Sequence, residues 1–163
     1  MKTKKMLTIL VLALGLTAEL AKADFTFGTP TNLGPTVNTS AFDGVPSISA
    51  DGLELYFSSG RPGGYGSLDI WVTTRPTKDD PWGTPVNLGS TVNSGYDDPT
   101  PSISTDGLTL YFSSNRPGEG GYDLWLTTRA TKQDPWGEPV NLGPTVNSSA
   151  QEDRKSTRLN SSH

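Results

Sequence analysis

The sequence predicts an all-β protein assembled from repeated four-stranded units, and two observations carry that expectation. The first is a self-repeat. Trp82-Gly83-Thr84-Pro85-Val86-Asn87-Leu88-Gly89 returns 54 residues later as Trp136-Gly137-Glu138-Pro139-Val140-Asn141-Leu142-Gly143. A weaker copy, Phe27-Gly28-Thr29-Pro30-Thr31-Asn32-Leu33-Gly34, precedes it by 55. All three continue into Thr-Val-Asn, ending at Asn38, Asn93 and Asn147. A fixed period of this size belongs to stacked-repeat architectures, in which neighbouring units cover the apolar faces that one unit leaves open. The second observation is that each period holds short alternating runs bounded by Gly, Pro, Asn and Asp. No helical periodicity follows the N-terminal segment.

Within a period the elements follow in order. Pro46-Ser47-Ile48-Ser49 and Pro101-Ser102-Ile103-Ser104 are short extended runs. Asp51-Gly52 and Asp106-Gly107 come next, the dipeptide expected of a type I′ hairpin turn. The following strand reads Leu53-Glu54-Leu55-Tyr56-Phe57, copied as Leu108-Thr109-Leu110-Tyr111-Phe112. Leu, Leu and Phe share one face; Glu54 or Thr109 begins the other, which ends in Tyr. A Gly-rich loop then leads to Asp69-Ile70-Trp71-Val72-Thr73-Thr74-Arg75 and its copy Asp123-Leu124-Trp125-Leu126-Thr127-Thr128-Arg129. That strand has large apolar groups on both faces, so both require cover. A Pro-interrupted loop brings Trp82 or Trp136 and a short fourth strand around Val86 or Val140. Four antiparallel strands, apolar on both faces, suit a β-propeller blade packed between its neighbours.

The pattern Pro-x-Ile-Ser-x-Asp-Gly-x-x-Leu-Tyr-Phe-Ser-Ser-x-Arg-Pro-Gly, followed by Asp-x-Trp, resembles the WD40-like (Pro-Asp) β-propeller repeat of the periplasmic TolB-type proteins. The likeness is close over residues 46–75 and 101–129 and loose elsewhere. Ala50 and Thr105 depart from it where that repeat often has Pro, and the period is long for the family. The resemblance implies a propeller fold and protein–protein contact in the cell envelope. Blades of this kind also occur in enzymes, and fold does not decide function. The periods run over about 27–81 and 82–135, with a partial third from 136. A closed ring has roughly 4–8 blades, so residues 24–152 read as about two blades of an incomplete propeller, an N-terminal fragment. The Phe27 copy matches the fourth strand of a blade otherwise missing.

The two ends are read differently. Lys2, Lys4 and Lys5 precede an apolar run over residues 6–16, and Ala21-Lys22-Ala23 supplies a small-x-small cleavage pattern. Residues 1–23 are therefore expected to be a secretory signal peptide. The alternative, a membrane anchor, needs about 20 apolar residues. Residues 153–163 read Asp-Arg-Lys-Ser-Thr-Arg-Leu-Asn-Ser-Ser-His. That string resembles, in frame, the translation of a common short-read sequencing adapter, and is expected to be an artefact rather than a polar tail of the native protein. The expected location is the periplasm or the exterior of a bacterial cell.

Composition narrows the function classes. Residues 24–152 hold six basic and fifteen acidic side chains, a net charge of −9. Such a surface argues against nucleic acid or an anionic membrane as partner. The chain has no Cys, which excludes a thiol nucleophile or a zinc-thiolate site. Its one His, His163, lies in the tail, so no Ser-His-Asp relay is available in residues 24–152.

The remaining candidates are binding residues. Arg61 and Arg116 occupy matching loops, as do Asp69 and Asp123. They are read either as Arg–carboxylate clips that hold each loop or as an Arg ring that grips an acidic ligand. Tyr96-Asp97-Asp98-Pro99 stands where the first copy has Phe42-Asp43-Gly44-Val45. Asp97 and Asp98 are the weak candidates for a metal, Ca²⁺, without the spacing of a calcium loop; no cofactor is expected. Trp71, Trp82, Trp125 and Trp136 repeat in register and are read as core in preference to sugar platforms. The loops differ most between copies, and recognition usually lives on variable loops of a rigid scaffold. Tyr65, Tyr96 and Tyr122 are the contact candidates. The expected function is a non-catalytic exported module that binds a protein or envelope component; the alternative is part of a propeller glycan or peptide hydrolase or lyase with its catalytic residues elsewhere.

Overall fold

A computed structural model describes residues 28–148. The expected signal peptide and the tail over 153–163 lie outside the described residues. The chain divides into two units, Met1–Thr31 and Asn32–His163. Of the first, residues 28–31 are described and carry no regular secondary structure. All the described strands lie in the second.

The described residues are all-β, without a helix. The strands are β1 (Asp43–Ile48), β2 (Glu54–Ser59), β3 (Asp69–Thr74), β4 (Val86–Asn87), β5 (Ser102–Ile103), β6 (Thr109–Ser114), β7 (Asp123–Thr128) and β8 (Val140–Asn141). They form two four-stranded antiparallel sheets, each in sequence order: β1-β2-β3-β4 and β5-β6-β7-β8. The pairing repeats residue for residue. Phe57 lies opposite Trp71 and Phe112 opposite Trp125. Each sheet therefore ends on the short strand after Trp82 or Trp136, and the sequence period that begins at residue 82 starts on the last strand of a sheet, whereas residues 28–34 of the first copy form no strand.

The hairpin turn differs from the one expected. A type I′ turn needs positive φ at both central residues, but only Gly52 and Gly107 have it, at 73° and 74°. Gly52 N–H donates to the Ser49 carbonyl at 2.8 Å, so the reversal is a wider loop between Ser49 and Glu54. Its organiser is Ser49, buried, whose hydroxyl donates to Asp51 and accepts from Glu54 N–H. Ser104 and Asp106 repeat the arrangement. A sequence reading centred on Asp-Gly omits the serine that builds the turn.

The core lies between the sheets and on the near face of the first. Tyr56 and Ile70, from the far face of sheet 1, pack with Leu110 and Phe112 of sheet 2, and Val92 lies among them. Trp125 and Trp136 pack against this cluster half-buried. Leu55, Phe57 and Trp71 form the second cluster on the opposite face of sheet 1 with Val37, and Trp82 packs against it. Trp71 is thus a core residue, and the other three tryptophans pack half-buried against the two clusters. The alternation read in the strands holds: Leu55 and Phe57 face one way, Tyr56 the other. Among the described residues no helix is long and apolar enough to cross a membrane.

Candidate functional site

The repeated Asn-Leu-Gly-x-Thr-Val-Asn segment is a structural lock. Gly89 has a positive φ of 82°, and its carbonyl accepts from Val92 and Asn93 N–H, at 3.2 and 2.9 Å. The Asn93 side chain then pairs with the β3 backbone. Its oxygen accepts from Ile70 N–H at 2.9 Å, and its amide donates to the Ile70 carbonyl at 2.9 Å and to Asn87 Oδ1 at 2.9 Å. Asn147 repeats this on Leu124 and Asn141. The sequence displayed these asparagines as a repeat without indicating what they bond.

The arginine clips exist with other partners than the matching loop aspartates. Arg61 pairs with Asp43 at 2.6 Å and donates to the Val37 carbonyl at 2.6 Å and to Ser59 Oγ. Arg116 pairs with Asp98 at 2.5 Å and donates to the Val92 carbonyl at 2.8 Å and to Ser114 Oγ. Each guanidinium also lies over two aromatic rings, Phe57 and Trp71 or Phe112 and Trp125. Both side chains are largely buried, with 9% and 14% exposed, so these arginines hold the loop from inside. Asp69 instead accepts from Tyr65 and Gly66 N–H and from Asn87 Nδ2. Asp123 accepts from Glu119 N–H and Asn141 Nδ2. The pairing also resets the repeat alignment: Asp98 matches Asp43 at an offset of 55, while Asp97 matches Phe42.

That alignment bears on the metal candidates. Asp98 is fully buried, with one oxygen on Arg116 and the other accepting from Ser94 N–H and Oγ. Asp97 Oδ2 accepts from the Tyr122 hydroxyl at 3.0 Å. Both oxygens of Asp98 and one of Asp97 are thus engaged by groups of the protein itself. Among the described residues no group of three His, Cys, Asp or Glu is placed to hold a metal.

The three candidate tyrosines come from the same end of the sheets. The β2–β3 loop carries Tyr65, the β6–β7 loop Tyr122, and Tyr96 lies on the connection from sheet 1 to sheet 2. The first loop meets that connection through Asp98 N–H to the Leu68 carbonyl at 2.7 Å, with Gly66 against the Tyr96 carbonyl. The last loop meets it through Asp97, which donates from its N–H to Asn115 Oδ1 and accepts from Tyr122. Tyr65 and Tyr96 stand out at 52% and 48% exposure, while Tyr122 is half-buried. Phe42, the first copy's counterpart of Asp97, is 54% exposed.

No protein-family model matches the chain, and no curated protein matches it.

Proposed function

We propose that this protein is an exported, non-catalytic β-propeller module, with each four-stranded sheet a blade, and that it binds a protein or another cell-envelope component through the loop surface that bears Tyr65, Tyr96 and Tyr122. The observation that supports this most directly is the contrast between scaffold and loop tips. The repeated polar groups are consumed in holding the scaffold: Arg61 and Arg116 in clips, Asn93 and Asn147 on backbone, Asp98 on Arg116. General acid–base or nucleophilic chemistry requires a set of mutually oriented groups beside a free position for substrate. The tyrosine rings instead offer apolar area with a polar tip, suited to contact with a partner. Export rests on the basic, apolar and small-residue pattern of residues 1–23, and the propeller reading on the repeat.

The test uses the full chain as bait in an envelope extract from a bacterial source, followed by direct binding with each protein recovered. A partner bound by the parent chain, lost on combined Tyr65→Ala, Tyr96→Ala and Tyr122→Ala, and retained by Tyr111→Ala on the sheet face supports the reading. Turnover of a glycan or peptide that depends on acidic residues within 28–148 overturns it.

A further inference from the structure

The contact between the two sheets is repeated, half-made, at each end of the pair. Within the chain, Tyr56, Ile70 and Val72 of sheet 1 pack toward sheet 2, and Tyr56 stands edge-on to Trp136 with ring centroids 6.2 Å apart. Polar bonds frame this apolar contact. Arg129 pairs with Glu54 at 2.8 Å and Lys132 with Asp51. Ile103 N–H donates to Ser47 Oγ and Thr100 N–H to Ser58 Oγ, both at 3.0 Å.

One period on, the far face of sheet 2 offers Tyr111, Leu124 and Leu126 at the positions of Tyr56, Ile70 and Val72. Tyr111 is 43% exposed where Tyr56 is 1%. One period back, the near face of sheet 1 carries Leu55, Phe57 and Trp71, buried with Val37, and the half-buried Trp82 at the positions of Leu110, Phe112, Trp125 and Trp136. A groove of about 470 Å³ stays open there, lined by Leu33, Pro46, Ile48, Leu55, Arg75 and Trp82.

We propose that a second copy of this chain fills that groove head to tail, the far face of its sheet 2 on the near face of sheet 1, and that its residues 141–147 take the seat now held by residues 32–38. The exchange follows from three observations. Asn32-Leu33-Gly34-Pro35-Thr36-Val37-Asn38 and Asn141-Leu142-Gly143-Pro144-Thr145-Val146-Asn147 are the same heptapeptide. Val37 is 3% exposed in its seat beside Leu55 and Phe57, whereas Val146 is 48% exposed beyond sheet 2. The two segments are also held differently. Asn147 is bonded to both backbone groups of Leu124, while Asn38 bonds Asn32 across its own turn. The segment that moves is the one without that lock, and Arg61 then receives the incoming Val146 carbonyl as Arg116 receives that of Val92.

Charge follows the same template. Lys78 lies over Gly52 as Lys132 lies over Gly107. Lys132 reaches Asp51, and the corresponding acid on the far face is Asp106. One position departs: Thr109 stands where Glu54 would meet the arginine, so Arg75 gains a hydroxyl instead of a carboxylate. The contact is heterologous. Each added copy exposes the same two faces, and growth stops when a ring closes.

The test is sedimentation and native mass spectrometry of the full chain over a concentration series. The expected result is a concentration-dependent, discrete oligomer. Tyr111→Lys, on an exposed position, weakens association at least about tenfold by placing a charge in an apolar contact. Asp106→Lys and Lys78→Asp each weaken it alone, and an equimolar mixture of the two single variants recovers it, because every contact in an alternating assembly again joins opposite charges. Thr109→Glu strengthens it. A chain that stays monomeric throughout the series overturns the proposal. So does association unchanged by Tyr111→Lys, or a charge-swapped mixture no stronger than either variant alone.

Discussion

Asn93 pairs with both backbone groups of Ile70, accepting from its N–H and donating to its carbonyl, each at 2.9 Å. A side-chain amide here does the work of another strand residue: it gives the buried Ile70 N–H its partner beyond the end of β4 at Asn87, and shares the Ile70 carbonyl with Leu88 N–H. The most conspicuous motif in the sequence is thereby a device for ending one sheet and sending the chain on to the next.

Asn93→Ala should therefore destabilise the protein by about 1–3 kcal/mol, because it leaves the buried Ile70 N–H without a partner, while the Ile70 carbonyl keeps its bond from Leu88 N–H. Asn38→Ala, whose amide bonds Asn32 alone in an exposed turn, should cost less than about 1 kcal/mol. Urea unfolding of the two variants checks the difference. Equal losses would show that Asn93 acts through its turn and not through Ile70.

Asp98→Ala should be the more damaging carboxylate change. It strips Arg116 of its partner inside the protein, and a buried charge left unpaired costs about 3–5 kcal/mol. Combined Asp98→Ala and Arg116→Met should recover part of that loss, since the uncompensated charge is gone. The readout is the urea midpoint of both variants. A double variant less stable than Asp98→Ala would count against the clip as an isolated ion pair.

Acid should release the first clip. Burial pushes the Asp43 carboxyl up, but hydrogen bonds from Ser59, Arg61 and Thr39 outweigh it and hold the group at about 2 instead of 3.8. The folded value is depressed, so this contribution is complete above the unfolded value and is lost as the pH falls from about 4 to about 2. Its size is at most about 2 kcal/mol. The stability gap between the parent chain and Asp43→Asn, measured by urea titration, should hold steady from pH 7 to about 5 and narrow below pH 4. A gap independent of pH would remove Asp43 as the titrating group.

Strand order and facing were legible because they rest on local alternation. Leu55, Phe57 and Tyr56 separate by period two, and a double-sided third strand implies cover on both faces. The partners of Arg61 and Arg116 were not legible, since Asp43 and Asp98 lie 18 residues upstream in a segment whose alignment depends on a one-residue difference between the loops. An offset of 55 residues pairs Asp43 with Asp98 directly, and the sequence contained that signal. The turn departs from the expected type for another reason. Asp-Gly is a strong local pattern, but Ser49 joins the loop through bonds to Asp51 and Glu54 that no dipeptide rule includes. The tyrosine surface was read from loop variability alone; the spatial link between Asp97 and Tyr122 spans 25 residues and appears only when the loops are folded.

Gly66→Ala gives the sharpest test of how the loop surface is held. A Cβ at this position would run into the Tyr96 carbonyl and crowd that of Ser94, both backbone atoms that a rotamer change cannot move aside. The substitution must push the β2–β3 loop away from residues 94–98, where Asp98 N–H donates to Leu68. Steric insertion of this kind costs about 1–3 kcal/mol. Gly95→Ala, on the same connection with nothing near its added carbon, is the control and should leave stability within about 0.5 kcal/mol. Hydrogen exchange should show faster loss of protection at Asp98 N–H in Gly66→Ala, with Ile70 N–H, held by Asn93, unchanged. Because Tyr65 and Tyr96 lie on the two segments forced apart, partner binding should fall in Gly66→Ala and persist in Gly95→Ala. Full binding with lost Asp98 protection would mean that the two tyrosines act independently and that their spacing is not part of recognition.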